Sequence, residues 1–185
     1  MSEALWAFGR VSGIVTLLLF TASVVLGIIT RSGRPLPGLP RFSISLLHRN
    51  IALTACSFLV LHVGSLMLDS YAKLNVIDAV VPFLGHFKPF WQGLGTVAVD
   101  LLIAIVVTSL FRKRFGARTF RTIHWFTYVM WPIALAHSIG NGTNGLSGWF
   151  LLIAAGSIVV VIAALFWRTS TRFEESAAAR QGGIR

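Results

Sequence analysis

LLHRNIALTACSFLVLHVGSLML (Leu46–Leu68) and TFRTIHWFTYVMWPIALAHSI (Thr119–Ile139) are the two stretches whose reading decides how this chain folds. Each is an apolar run holding two histidines, His48 and His62 in the first, His124 and His137 in the second. An ionisable side chain inside a bilayer is costly and is functional by default, and imidazole is a common metal ligand. The members of the pairs stand fourteen and thirteen residues apart. At about 1.5 Å rise per residue those separations cover about 21 Å and about 19.5 Å, inside a hydrocarbon core about 30 Å thick. Each helix then carries one histidine near each membrane face. Two such helices running the same way set His48 level with His124 and His62 level with His137. Two stacked bis-histidine sites follow, and each suits an iron porphyrin held between two imidazoles. The competing reading, histidines that only hydrogen-bond between helices, offers contacts worth about 1–2 kcal/mol at most.

The helical wheel favours one pair over the other. Fourteen residues at about 100° each leave His62 about 40° from His48, on one face. Thirteen leave His137 about 140° from His124 on an ideal helix. Pro132 lies between the latter two and cannot donate to the carbonyl of Tyr128, so a kink or tightened turn is expected there.

Composition agrees with a membrane class. The chain has 185 residues, 55% of them hydrophobic and 12% charged, with a mean hydropathy of +0.77. The expectation is an all-α integral membrane protein of about five transmembrane helices in one bundle. Outward from the two stretches, the spans are Leu5–Ile29, Ile44–Leu68, Gly93–Phe111, Thr119–Ile139 and Trp149–Trp167. The first is too long for a signal h-region, and only Glu3 is charged before Arg10. Between the spans lie a compact loop (Arg31–Arg41), a basic turn (Arg112–Arg118) and a polar turn (Gly140–Gly148). The longer connection Asp69–Gln92, broken by Pro82, Gly85 and Pro89 and rich in aromatics, suits a segment lying in the interface. The membrane domain covers 1–168 and a polar cytoplasmic tail 169–185.

The formal net charge of +10 reflects orientation rather than nucleic acid, because the basic residues flank apolar runs. Arg31, Arg34, Arg41 and Arg49 share one side with Arg112, Lys113, Arg114, Arg118 and Arg121, and with Arg168, Arg172, Arg180 and Arg185. That is 13 of the 16 Lys and Arg, leaving Arg10, Lys73 and Lys88 for the other side. The rule that positive charge stays inside puts the N-terminus outside and the C-terminus in the cytoplasm. His48 and His124 are then cytoplasmic, His62 and His137 external. Helices two and four run the same way, as the pairing by level requires.

Other polar residues want reasons. Arg10 and Asp100 lie at matching external depth, and a charge there wants a partner. One reading is an Arg10–Asp100 ion pair; the other gives Arg10 a porphyrin propionate. Trp131 stands seven residues after His124, which sets its indole near mid-membrane between the two sites, as a group beside the cofactor or as an ordinary packing or lipid-facing residue. Cys56 reads as a small packing residue, and His86 as interfacial or a further ligand. No Cys-x-x-Cys-His attachment motif and no glycine-rich nucleotide fingerprint occurs in the sequence.

The paired spacing, with HRN at His48–Asn50, resembles the ferric reductase-like transmembrane family. That family takes in the membrane halves of NADPH oxidases and the haem subunit of bacterial methionine sulfoxide reductase systems. The resemblance covers about Leu5–His137. It implies two b-type haems, an inner one on His48 and His124 and an outer one on His62 and His137, in a bacterial plasma membrane. It also implies electron transfer by an oxidoreductase subunit, from a separate cytoplasmic flavoprotein or quinol to an external acceptor. The other class in play is a haem-bearing or haem-free partner subunit for assembly or docking of a larger redox complex.

Overall fold

The apolar runs fold as expected into helices, and among the described residues no strand occurs. The computed structural model describes residues 2–32, 38, 40–70, 74–170 and 173. In chain order the helices are α1 (Ser2–Ser32), α2 (Arg41–Leu68), α3 (Val76–Val80), α4 (Pro89–Leu110), α5 (Arg112–His124), α6 (Thr127–Asn141) and α7 (Gly148–Thr169). Most of the Arg31–Arg41 loop and of the tail, with Arg34, Lys73, Arg172, Arg180 and Arg185, lies outside the described residues.

Four helical segments, Glu3–Ser32, Phe42–Leu68, Pro89–Leu110 and Gly148–Thr169, are long and apolar enough to cross a membrane. Their outward faces keep large apolar side chains exposed, among them Val60, Leu110, Leu152 and Phe166. Helices apolar all round, with such residues uncovered, belong in lipid, and the chain is an integral membrane protein.

Three of the departures from the sequence reading have a local reason. Pro89, read as a breaker, starts α4 four residues early, because a missing N–H costs nothing in the first helical turn. The basic turn Arg112–Arg118 is helical on both sides of Gly116, whose φ of 81° and ψ of 160° break it at the one residue without a side chain to clash. The fourth expected span is not one helix. It divides at Trp125–Phe126 into α5 and α6, so neither piece reaches spanning length alone.

At that division the helical turn tightens. Phe126 N–H bonds the carbonyl of Ile123 at 3.0 Å, Tyr128 N–H that of Trp125 at 3.1 Å, and Val129 N–H that of Phe126 at 3.0 Å. These are i→i−3 bonds, which advance the chain about 120° per residue instead of about 100°. Three of them turn His137 about 60° back towards the face of His124. The tightening lies over residues 123–129, upstream of Pro132, where the sequence reading expected it; Pro132 itself stands inside α6.

The chain divides into two compact units. In the first, Met1–Ile14 with Leu59–Leu151, α4 packs along α6 and also meets α5 and α3. Leu102, Ile105, Met130, Trp131, Leu135 and Phe150 form its buried apolar set. Thr96 donates to the carbonyl of Asp78 at 2.8 Å and ties α3 to α4. Asp78 in turn accepts from the backbone N–H of Asn75 at 3.2 Å. In the second unit, Val15–Phe58 with Leu152–Arg185, Leu17, Phe20, Val24, Ile28, Ile44, Ala55, Ala154 and Val161 are buried.

The contact of α4 with α6 is close enough to be tested. A Cβ at Gly140 would stand 2.0 Å from Cδ2 of Trp91, whereas one at Gly156 on α7 meets nothing within 4 Å. Gly140→Ala should therefore destabilise the protein by about 1–3 kcal/mol through overpacking. Gly156→Ala should leave stability unchanged or raise it by up to about 1 kcal/mol through helix propensity. Thermal unfolding of both variants in detergent measures the difference.

Candidate functional site

His62 lies on α2, in the first unit, against α1. Its Nδ1 is 2.6 Å from the carbonyl oxygen of Gly9. A carbonyl only accepts, so Nδ1 carries a proton, and in the neutral ring Nε2 keeps its lone pair. The ring rests on Gly13, where a Cβ would come within 2.8 Å of Cε1 and 2.9 Å of Nδ1. A Cβ at Gly9 would stand 2.9 Å from Oγ of Ser65. Here α1 and α2 run antiparallel and close, and glycine is what permits it.

His137, on α6 of the same unit, repeats the arrangement against α4. Its Nδ1 donates to the carbonyl of Trp91 at 2.8 Å. A Cβ at Gly95 would come within 2.6 Å of both Cε1 and Nδ1. Imidazoles from two different helices thus each turn Nδ1–H to a backbone carbonyl.

His48 does the same in the second unit. Its Nδ1 is 2.9 Å from the carbonyl of Ser23 and 3.4 Å from the hydroxyl of that residue, and a Cβ at Gly27 would stand 3.3 Å from Cε1. His124, in the first unit, is the last residue of α5, and its ring lies 5.1 Å from that of Phe120. All four imidazoles are half-buried, whereas His86 is exposed.

The sequence did not single out Gly13, Gly27 or Gly95. One signal was available. Gly13 and Gly27 stand fourteen residues apart, the spacing of His48 and His62, and so do Gly9 and Ser23, whose carbonyls accept from those histidines. Paired glycine and histidine periods on consecutive antiparallel helices are what close packing of rings on glycines would leave in a sequence.

The Arg10–Asp100 ion pair is not what forms. The guanidinium of Arg10 donates to the Asn144 carboxamide oxygen and lies over the Trp6 ring, 4.2 Å from its centroid, while Asp100 is exposed. Depth along the helix matched the two charges, but the side chains face different ways. Trp131 is buried, 6% exposed, which removes the lipid-facing reading and leaves the packing and cofactor-side ones. Arg49 and Arg121 are exposed, and Arg121 Nε reaches the carbonyl of Ala117 at 3.3 Å. Cys56 is a free, half-buried thiol.

The first unit contains an open cavity of about 830 Å³, with Trp6, Phe87, Lys88, Trp91 and Asn141 in its wall. Lys88 Nζ donates to the carbonyl of Gly140 at its edge, at 2.9 Å. Trp91 therefore faces the cavity while its carbonyl holds His137.

Among the described residues no group of three or more His, Cys, Asp or Glu could hold a bare metal ion. A family model described as ferric reductase like transmembrane component matches residues 12–135. The matched region takes in His48, His62, His124 and the three ring-bearing glycines, and ends just short of His137. No curated protein and no solved structure matches the chain.

Removing the Asn144 partner should leave a charge without its acceptor. Asn144→Ala is expected to lower stability by about 1.5–3 kcal/mol, the scale of a hydrogen bond to a charged group. Asp100→Asn should not lower it, since exposed substitutions usually stay within about 0.5 kcal/mol. Thermal unfolding of the two single variants in detergent checks both.

Proposed function

The chain belongs to the ferric reductase like transmembrane component family, and from that premise we propose that it carries electrons across a membrane through two bis-histidine b-type haems. Domains of this family generally bind haem. The observation that carries the reading is the pair His62 and His137, each with Nδ1–H on a backbone carbonyl and Nε2 free to ligate iron. Metal-ligating histidines characteristically donate their other ring N–H to such an acceptor, which fixes tautomer and ring orientation.

In this reading His62 and His137 hold the outer haem, and the sequence register gives His48 the partner His124 for the inner one. Haem iron, when bound, supplies one-electron chemistry at a potential set by axial ligation and burial. The chain's own residues do the rest. Carbonyls of Gly9, Trp91 and Ser23 hold each imidazole proton away from the metal. Buried Trp131 fills the interior of the first unit and excludes water from it. Arg10, the sequence neighbour of Gly9 and held by Asn144, would serve an outer propionate. The haems are held without covalent attachment, there being no Cys-x-x-Cys-His sequence.

The α5–α6 segment makes the fifth crossing, with the N-terminus outside and the C-terminus in the cytoplasm. The membrane domain is 1–168 and the tail 169–185. Electrons enter on the cytoplasmic side from a separate flavoprotein or from quinol. They leave to an external acceptor, for which the cavity beside Trp91 gives access to the outer haem.

A pyridine haemochrome assay of the purified chain should count two haems. His62→Ala should remove the outer haem and leave the inner one six-coordinate. One haem or none in the unaltered protein contradicts the proposal, as does a His62→Ala variant that keeps both signals.

A further inference from the structure

We propose that Gly13, Gly27 and Gly95 are positioning residues for the haem-ligating histidines, each acting with the backbone carbonyl four residues before it in the same helix. The inference rests on the bis-histidine reading above and adds a role that neither the histidines nor the family match assigns. Three pairs of residues repeat one arrangement. His62 donates to the Gly9 carbonyl and lies on Gly13. His48 donates to the Ser23 carbonyl and lies on Gly27. His137 donates to the Trp91 carbonyl and lies on Gly95.

The spacing has a physical cause. In a helix the carbonyl of residue i points along the axis towards residue i+4, whose N–H it already accepts. An imidazole that shares this oxygen must lie over the Cα of residue i+4. Any side chain there occupies the place of the ring. The separations of 2.6 Å at Gly95 and 2.8 Å at Gly13 leave no room even for a methyl group, and 3.3 Å at Gly27 leaves little. Glycine is, apart from proline, the least favourable residue for a helix interior. Its use at these three points is explained by the rings.

The consequence is chemical as well as steric. A carbonyl on Nδ1–H makes the imidazole a more basic ligand and fixes its plane. A more basic ligand stabilises ferric over ferrous iron, so loss of the bond raises the midpoint potential of the haem concerned. An added methyl at Gly95 forces the ring off the Trp91 carbonyl while leaving His137 itself intact.

The test is redox titration and low-temperature EPR of the full chain in detergent, comparing Gly95→Ala, Gly13→Ala and Gly27→Ala. Gly64→Ala and Gly156→Ala serve as controls, since a Cβ at either meets nothing within 4 Å. Gly95→Ala and Gly13→Ala should raise the outer-haem potential, alter its low-spin signal and weaken haem retention by about 10-fold to 100-fold. The inner haem should be unmoved in both. Gly27→Ala should give a smaller shift confined to the inner haem, and the controls should match the unaltered protein. Gly27→Ala, where the contact is loosest, carries the test should the tighter variants fail to accumulate. Unchanged potentials in all three ring-bearing variants, or equal shifts at both haems, overturn the proposal while a haem count of two leaves the bis-histidine reading standing. An unaltered protein without haem overturns both.

Discussion

The hydrogen bond from a histidine Nδ1–H to a helix backbone carbonyl is the interaction on which this structure depends. It settles which ring nitrogen carries the proton, and so which one faces a metal. It also dictates what surrounds it. A ring can reach a carbonyl already engaged in its own helix only where the next turn presents glycine. Close approach of α1 to α2 near His62, and of α4 to α6 near His137, follows from that requirement. An imidazole in lipid without such an acceptor would leave a polar N–H unsatisfied, at a cost of several kcal/mol. The same bond therefore stabilises the fold and prepares the site.

Much of this was legible in the sequence because the signals are coarse. Long apolar runs, paired histidines at thirteen and fourteen residues and basic residues at the ends of the runs depend on composition and period alone. The family match over residues 12–135 agrees with the resemblance read from those histidines. What escaped depends on direction rather than depth. Arg10 and Asp100 occupy similar levels, yet the guanidinium turns to Asn144 and Trp6. A helical wheel assigns angles from an ideal period, and the rotations of real side chains about their helices decide partners.

The fourth expected span illustrates the same limit in the backbone. An ideal helix over Thr119–Ile139 sets His124 and His137 on different faces, and Pro132 announced a departure without giving its form. The chain divides at Trp125–Phe126 and tightens through i→i−3 bonds, which recovers part of the missing rotation. Pro89 and Gly116 misled in opposite senses. A proline among aromatics reads as a stop but begins α4, and a glycine inside RKRFGAR reads as a turn but interrupts a helix at a single residue. In each case one residue's φ decides, and residue type alone does not tell which of two allowed uses it serves.

In the proposed sites each histidine pair presents two neutral imidazoles through Nε2 to one iron. Low-temperature EPR of the oxidised, purified chain tests it most directly, because six-coordinate bis-imidazole ferric haem is low-spin. Two low-spin ferric signals of equal weight, with no high-spin ferric component, are the predicted result. A dominant high-spin signal, or low-spin signals that survive replacement of both His62 and His137 by Ala, would contradict it.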